Sequence, residues 1–135
     1  MHVKIKAVII GFFVTAVSYW ILGNFSYILG GTVTGYLLAT DTDDYIDGTI
    51  NGAISVTVFV LLIGLYNLFL FSTVGYNFYG ISMFDSSLEI VILAILGLIK
   101  ILFVGLILGG IGGVSGMFIR IQIQAVHELG RKSER

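Results

Sequence analysis

The sequence has no cysteine and no proline, and only 11% of its residues are charged. Without cysteine there is no disulfide framework, no thiolate nucleophile and no thiolate metal site. Without proline, no helix carries an obligatory kink. A formal net charge of −1 excludes a strongly basic nucleic-acid-binding surface. No H-E-x-x-H or G-x-S-x-G pattern occurs, and His2 and His127 stand at opposite chain ends, outside any triad or metal constellation. Paired carboxylates are also missing from the apolar stretches, so the chain reads as non-enzymatic and without a cofactor.

What is abundant is apolar. Hydrophobic residues make up 57% of the chain and the mean hydropathy is +1.03, more than a soluble domain of 135 residues can hide. Uncharged runs extend from Ala7 to Leu22, Phe25 to Ala39 and Thr49 to Phe71, and a further run from Ile90 to Ile119 is interrupted only by Lys100. Runs this long lack the alternation of barrel strands. In lipid the backbone must satisfy its own hydrogen bonds, so they are expected to be helices.

The expected fold is therefore an all-α integral membrane protein, one membrane domain over residues 1–135, with spans near 5–22, 25–40, 47–71 and 90–114. The second is the shortest, at about 23 Å against a hydrocarbon core of about 30 Å. The amino-terminal stretch has a basic start, but its apolar part is long and no A-x-A-like site closes it, so it is expected to stay as the first span. Lys4 and Lys6 precede that span, Arg120, Arg131, Lys132 and Arg135 follow the last, and the connections contain no lysine or arginine. An even span count with this bias places both termini in the cytoplasm and the protein in the cell membrane as a multi-pass chain.

Tyr19 and Trp20 are aromatic anchors for the outer interface, where the connection "STVGYNFYGISMFDSS" is also expected. Asn24-Phe25-Ser26 fits a glycosylation acceptor but sits almost in the membrane. Ser86-Ser87-Leu88-Glu89 has capping-box spacing and predicts a helix start near residue 87. The segment 120–135 reads as an amphipathic cytoplasmic continuation ended near Gly130, with Arg120, Arg131, Lys132 and Arg135 available to anionic lipid.

Glycine occurs 18 times, and its placement is periodic. Gly105, Gly109 and Gly113 are four apart, as are Gly112 and Gly116, Gly31 and Gly35, and Gly48 and Gly52; Gly11 and Thr15 form a weaker set. Positions four apart share a helix face, so each set is a groove where another helix approaches closely. The stretch "GGIGGVSG" at 109–116 also comes near the dinucleotide fingerprint. It lacks the preceding short strand, and too little chain follows for a second strand with its acidic residue, which excludes nucleotide binding. Glycine on two faces of the last helix leaves two partners open, another helix of this chain or another protein.

Two charged features remain. Lys100 is the one ionisable residue well inside a span; it either snorkels to the interface or faces a buried partner or pore, with Thr57, Tyr66 and Asn67 as candidate acceptors. Asp41, Asp43, Asp44 and Asp47 crowd the connection "DTDDYIDG". Counted from Asp43 they begin a calcium-loop pattern that fails at Tyr45 and at Ile54, where a bidentate glutamate is required. Capping of the following helix is the expected role, with loose divalent-cation or partner binding as the alternative.

The run Gly30-Gly31-x-x-x-Gly35-Tyr36-Leu37, followed by Asp47-Gly48-x-x-x-Gly52-Ala53, resembles a group of small archaeal membrane proteins known only as a domain of unknown function. That group is similar in length, four-span hydropathy and glycine-rich hairpins. The resemblance implies an archaeal origin and no particular activity. The functional expectation is assembly, as a homo-oligomer or as a small subunit of a membrane complex, within the lipid bilayer and without nucleic acid or nucleotide. The alternative is a small oligomeric channel or transporter with Lys100 near its path.

Overall fold

The computed structural model describes residues 4–39, 44–70 and 87–133, and among these the fold is all helical. Helix α1 is Ile5–Leu22, a 3-10 turn covers Gly23–Phe25, α2 is Ser26–Leu38, α3 is Tyr45–Leu70 and α4 is Ser87–Ser133. Three helical stretches are long and apolar enough to cross a membrane: Ile5–Leu38, Tyr45–Leu70 and Ala94–Arg131. Large apolar side chains cover their outer surface, from Ile5 and Phe13 on α1 to Phe118 on α4, as expected where lipid is the solvent. This is a helical membrane protein.

The first stretch is folded back on itself. Gly23 takes a φ of 55° while its N–H still bonds Tyr19 O, closing α1 and reversing the chain within three residues. A side chain would strain this left-handed position. Gly11 then lies against Gly30 and Thr34, Gly30 against Thr15, and Tyr19 stacks on Tyr27, so α1 and α2 are antiparallel.

Helix α3 runs beside α1 in the same direction, tied by Lys4 to Asn51 at one end and by the edge-on rings of Phe12 and Phe59 further along. Helix α4 runs antiparallel to α3, with Leu98 near Gly64, Gly105 near Val60 and Met117 near Gly48, and parallel to α2, with Gly109 near Gly31 and Gly113 near Gly35. The core has two centres. Tyr27, Val56, Phe59 and Val60 pack with Phe12, Tyr19 and Leu102 towards the Gly23 end, and Leu38, Ala39 and Met117 close the Lys4 end.

Helix boundaries differ from expectation in three places. The second helix is Ser26–Leu38 rather than 25–40, only 13 residues, or about 20 Å at 1.5 Å per residue. The third begins at Tyr45, before Asp47, because Asp44 accepts the Ile46 N–H at 2.9 Å and starts the helix two residues earlier. The fourth begins at Ser87 as the capping box predicts, but it neither pauses after residue 114 nor stops at Gly130. A terminal glycine ends a helix by turning left-handed. Among the described residues only Gly23 has a positive φ, and Gly130 stays helical. The result is one helix of 47 residues, about 70 Å long.

Candidate functional site

The glycines of α4 bring three helices to backbone contact. A methyl group on Gly52 would lie 2.5 Å from the Gly109 carbonyl and 2.8 Å from Gly113 Cα; one on Gly109 would lie 2.7 Å from the Gly52 carbonyl. Gly31 faces the Gly109 carbonyl, and Gly35 that of Gly113. On the neighbouring face, Gly112 and Gly116 sit against the carbonyls of Ile28 and Thr32, with a methyl on Gly116 only 2.7 Å from Tyr36 N. Gly48 holds Met117 and Gly105 holds Val60. Both glycine faces of α4 are thus covered by this chain, one by α3 with α2 and the other by α2.

A second seam is polar. Asp47, Asn51 and Ser55 recur every four residues along α3 and are buried, as are Thr15 of α1 and Thr34 of α2. Thr34 Oγ donates to Ser55 Oγ at 3.0 Å, Ser55 Oγ donates to the Gly52 carbonyl at 2.9 Å, and Thr15 Oγ donates to the Gly11 carbonyl at 2.9 Å. Asn51 uses both ends of its amide. Its Nδ2 donates to the Asp47 carbonyl at 2.8 Å, and its Oδ1 accepts the Lys4 N–H at 3.0 Å. The Asp47 residue is only 9% exposed, at the mouth of this ladder. Three polar positions four apart on one helix were the available sequence signal, but which face α1 and α2 would cover was not visible there.

A third arrangement lies at the Lys4 end of α4. Arg120 donates from Nη1 to the Tyr36 hydroxyl at 2.8 Å, and its guanidinium carbon sits 4.8 Å from the Tyr36 ring centre. The side chain is half-buried, and its Nε is enclosed without a hydrogen-bond partner. An arginine gripped at once through a hydroxyl and a ring face has its free donors fixed in direction.

Other expected positions do not converge on these seams. Lys100 is exposed on the outside of α4 and makes no hydrogen bond or ion pair among the described residues. Its candidate acceptors lie elsewhere: the Thr57 hydroxyl is buried without a partner, and Tyr66 is exposed. Asp41 and Asp43 lie outside the described residues; Asp44 starts α3 and Asp47 is buried inside its first turn, so the capping role falls on Asp44. No group of three metal-ligating side chains forms among the described residues. Arg131 is exposed on the projecting end of α4, the side chain of Lys132 and all of Arg135 lie outside the description, and among the described residues of this group only Arg120 reaches a partner.

No curated protein and no solved structure matches the chain. One family model does, over residues 5–119, from the start of α1 to the residue before Arg120. The chain belongs to the Family of unknown function (DUF5518).

Proposed function

We propose that the chain crosses the membrane four times, with both termini in the cytoplasm, and acts without catalysis as the subunit of a membrane assembly built from copies of itself. The orientation follows from Lys4, Lys6, Arg120 and Arg131 at one end of the bundle. Lys100 and Arg120 are 20 positions apart on α4, about 30 Å, the thickness of the hydrocarbon core. On this reading the two charges mark the membrane boundaries, and Lys100 snorkels outward.

The observation that carries the assembly is the unequal height of the two hairpins. The α1–α2 hairpin turns at Gly23, beside the level where Tyr19 meets Phe59. Helices α3 and α4 continue outward, still touching at Gly64 and Leu98. Leu65 and Tyr66 on α3, and Ile92, Ile95 and Leu96 on α4, are all exposed there. They form an apolar overhang beyond Lys100, where lipid tails no longer cover it. A second copy in the same membrane has the same overhang at the same height and facing the same way, which suits a closed symmetric contact. Glycine supports this only indirectly, by making each subunit rigid.

The chain's freedom from cysteine makes the test clean. Single variants Leu96→Cys and Ile95→Cys are expected to form disulfide dimers in bilayers, whereas Ile9→Cys on the lipid-covered face of α1 stays monomeric. A monomer at every protein-to-lipid ratio, with no excess cross-linking at Leu96, overturns the reading.

The polar ladder favours a second reading, transport of a proton or small cation inward or outward past Asp47, Asn51 and Ser55. In a single chain this ladder is closed by the ring cluster of Tyr19, Tyr27 and Phe59, and Lys100 could border a path only between copies. Flux in proteoliposomes that Asp47→Asn abolishes would favour it over assembly alone.

A further inference from the structure

We propose that Arg120 and Tyr36 form a binding site for the phosphate ester of an inner-leaflet lipid. The first observation is depth. Arg120 is the first charged residue after 19 uncharged positions of α4, so it leaves the hydrocarbon where headgroup phosphates lie. It does so on the face turned to α2, at the level where Gly116 rests on Thr32 and Tyr36.

The second observation is chemical. Among the described residues Arg120 has no carboxylate partner; its contacts are the hydroxyl and ring of Tyr36. A guanidinium taken half out of water calls for an anion, and its planar fork matches two oxygens of a phosphate. Because the Tyr36 oxygen accepts from Arg120 Nη1, the tyrosine proton is free to donate elsewhere. A phosphate ester placed beside Nη2 receives one hydrogen bond from tyrosine and two from arginine, both groups already held in place.

The third observation is the rigidity beneath the pair. Gly113 and Gly116 lock α4 onto α2 within two turns of Arg120, so the two side chains keep their spacing without help from the ligand. Little ordering entropy is then lost on binding. Arg131, exposed further along α4, makes no hydrogen bond or ring contact among the described residues and adds only general attraction. The assignment to the inner leaflet rests on the membrane orientation proposed above, and the site does not depend on copies associating.

The test uses the full chain purified in detergent and titrated with three probes: dioleoyl phosphatidylglycerol, dioleoylglycerol lacking phosphate, and glycerol phosphate lacking tails. Retained ligand is read by native mass spectrometry. The charged lipid is expected to bind and dioleoylglycerol not. Arg120→Gln should weaken lipid binding about tenfold or more, because it removes the cation with both of its hydrogen bonds, and Tyr36→Phe about threefold or more, because it removes one hydrogen bond to the anion. Arg120→Lys should restore only part of the loss, since an ammonium cannot form the fork. Equal binding of glycerol phosphate supports the phosphate site and assigns it to a soluble ester. Equal retention of both lipids, or an unchanged affinity in folded Tyr36→Phe, overturns the proposal. An Arg120→Gln protein that loses stability but keeps its lipid also overturns it, marking the arginine as a purely internal contact.

Discussion

Asn51 caps the start of α1 from 47 residues along the chain: its side-chain oxygen accepts the backbone N–H of Lys4 at 3.0 Å. Within one helix this bond is made by a glutamate or glutamine three residues into the first turn, as half of a capping box. Here α1 offers Lys4 at that place with no side-chain cap of its own, and α3 supplies the acceptor. The bond orders the start of α1 and fixes how far α1 slides along α3.

Replacing Asn51 with leucine keeps the branched shape but removes both amide bonds. The expected cost is about 1–2 kcal/mol, the usual value of a lost cap, concentrated at the start of α1. Hydrogen exchange should speed up at residues 4–8 and stay unchanged around Gly23. A uniform loss of protection along α1 would show that Asn51 supports packing rather than the cap.

Gly52 and Gly97 should respond oppositely to alanine. At Gly52 a methyl meets the α4 backbone at 2.5 Å, so the helices must part, at a cost of about 1–3 kcal/mol. At Gly97 nothing lies within 4 Å, and alanine should gain roughly 0.5–1 kcal/mol from its better helix propensity. Unfolding in mixed micelles measures both. Equal effects would mean that the glycine seam does not hold the bundle.

Thr34 and Ser55 share a buried hydroxyl bond of 3.0 Å. The double-mutant cycle of Thr34→Val with Ser55→Ala should give a coupling of about 0.6 kcal/mol, the average for hydrogen bonds between membrane helices. The value is small because two hydroxyl protons serve three acceptors: the Gly30 carbonyl competes with Ser55 Oγ for the Thr34 proton, while Ser55 donates its own to the Gly52 carbonyl. Strictly additive single variants would leave the seam without a specific α2–α3 contact.

Gly130 provides a test by sign. If α4 ended there, the glycine would be left-handed and alanine would destabilise the end. Since the helix continues to Ser133, Gly130→Ala should stabilise the projecting segment by roughly 0.5–1 kcal/mol. Slower amide exchange over residues 124–133 is the expected readout, and faster exchange would restore the helix end at Gly130.

Much of the fold could be read from residue spacing, because a period of four marks a helix face whatever its neighbours are. Thus Gly31, Gly35, Gly48, Gly52 and the α4 set all lie at close helix crossings. Which helix each face meets could not be read, since glycine removes the side chains that would specify a partner. The polar seam was hidden for another reason. Thr15, Thr34 and Asn51 each bond a carbonyl four residues earlier, so each looks self-sufficient along its own helix. Only the crossing of α1, α2 and α3 lines them up. The Arg120–Tyr36 pair, 84 residues apart, depends on α2 and α4 running parallel, which follows from the whole topology.

The placement of α4 bears on how the bundle closes. The grooves at Gly31 and Gly35 on α2 and at Gly48 and Gly52 on α3 are filled by α4, which follows both in the chain. Without α4 the glycine faces of α2 and α3 are uncovered, and the three earlier helices are joined chiefly by their hydroxyls, amides and rings. A chain truncated before α4 is therefore expected to be more open and more protease-sensitive than the full chain.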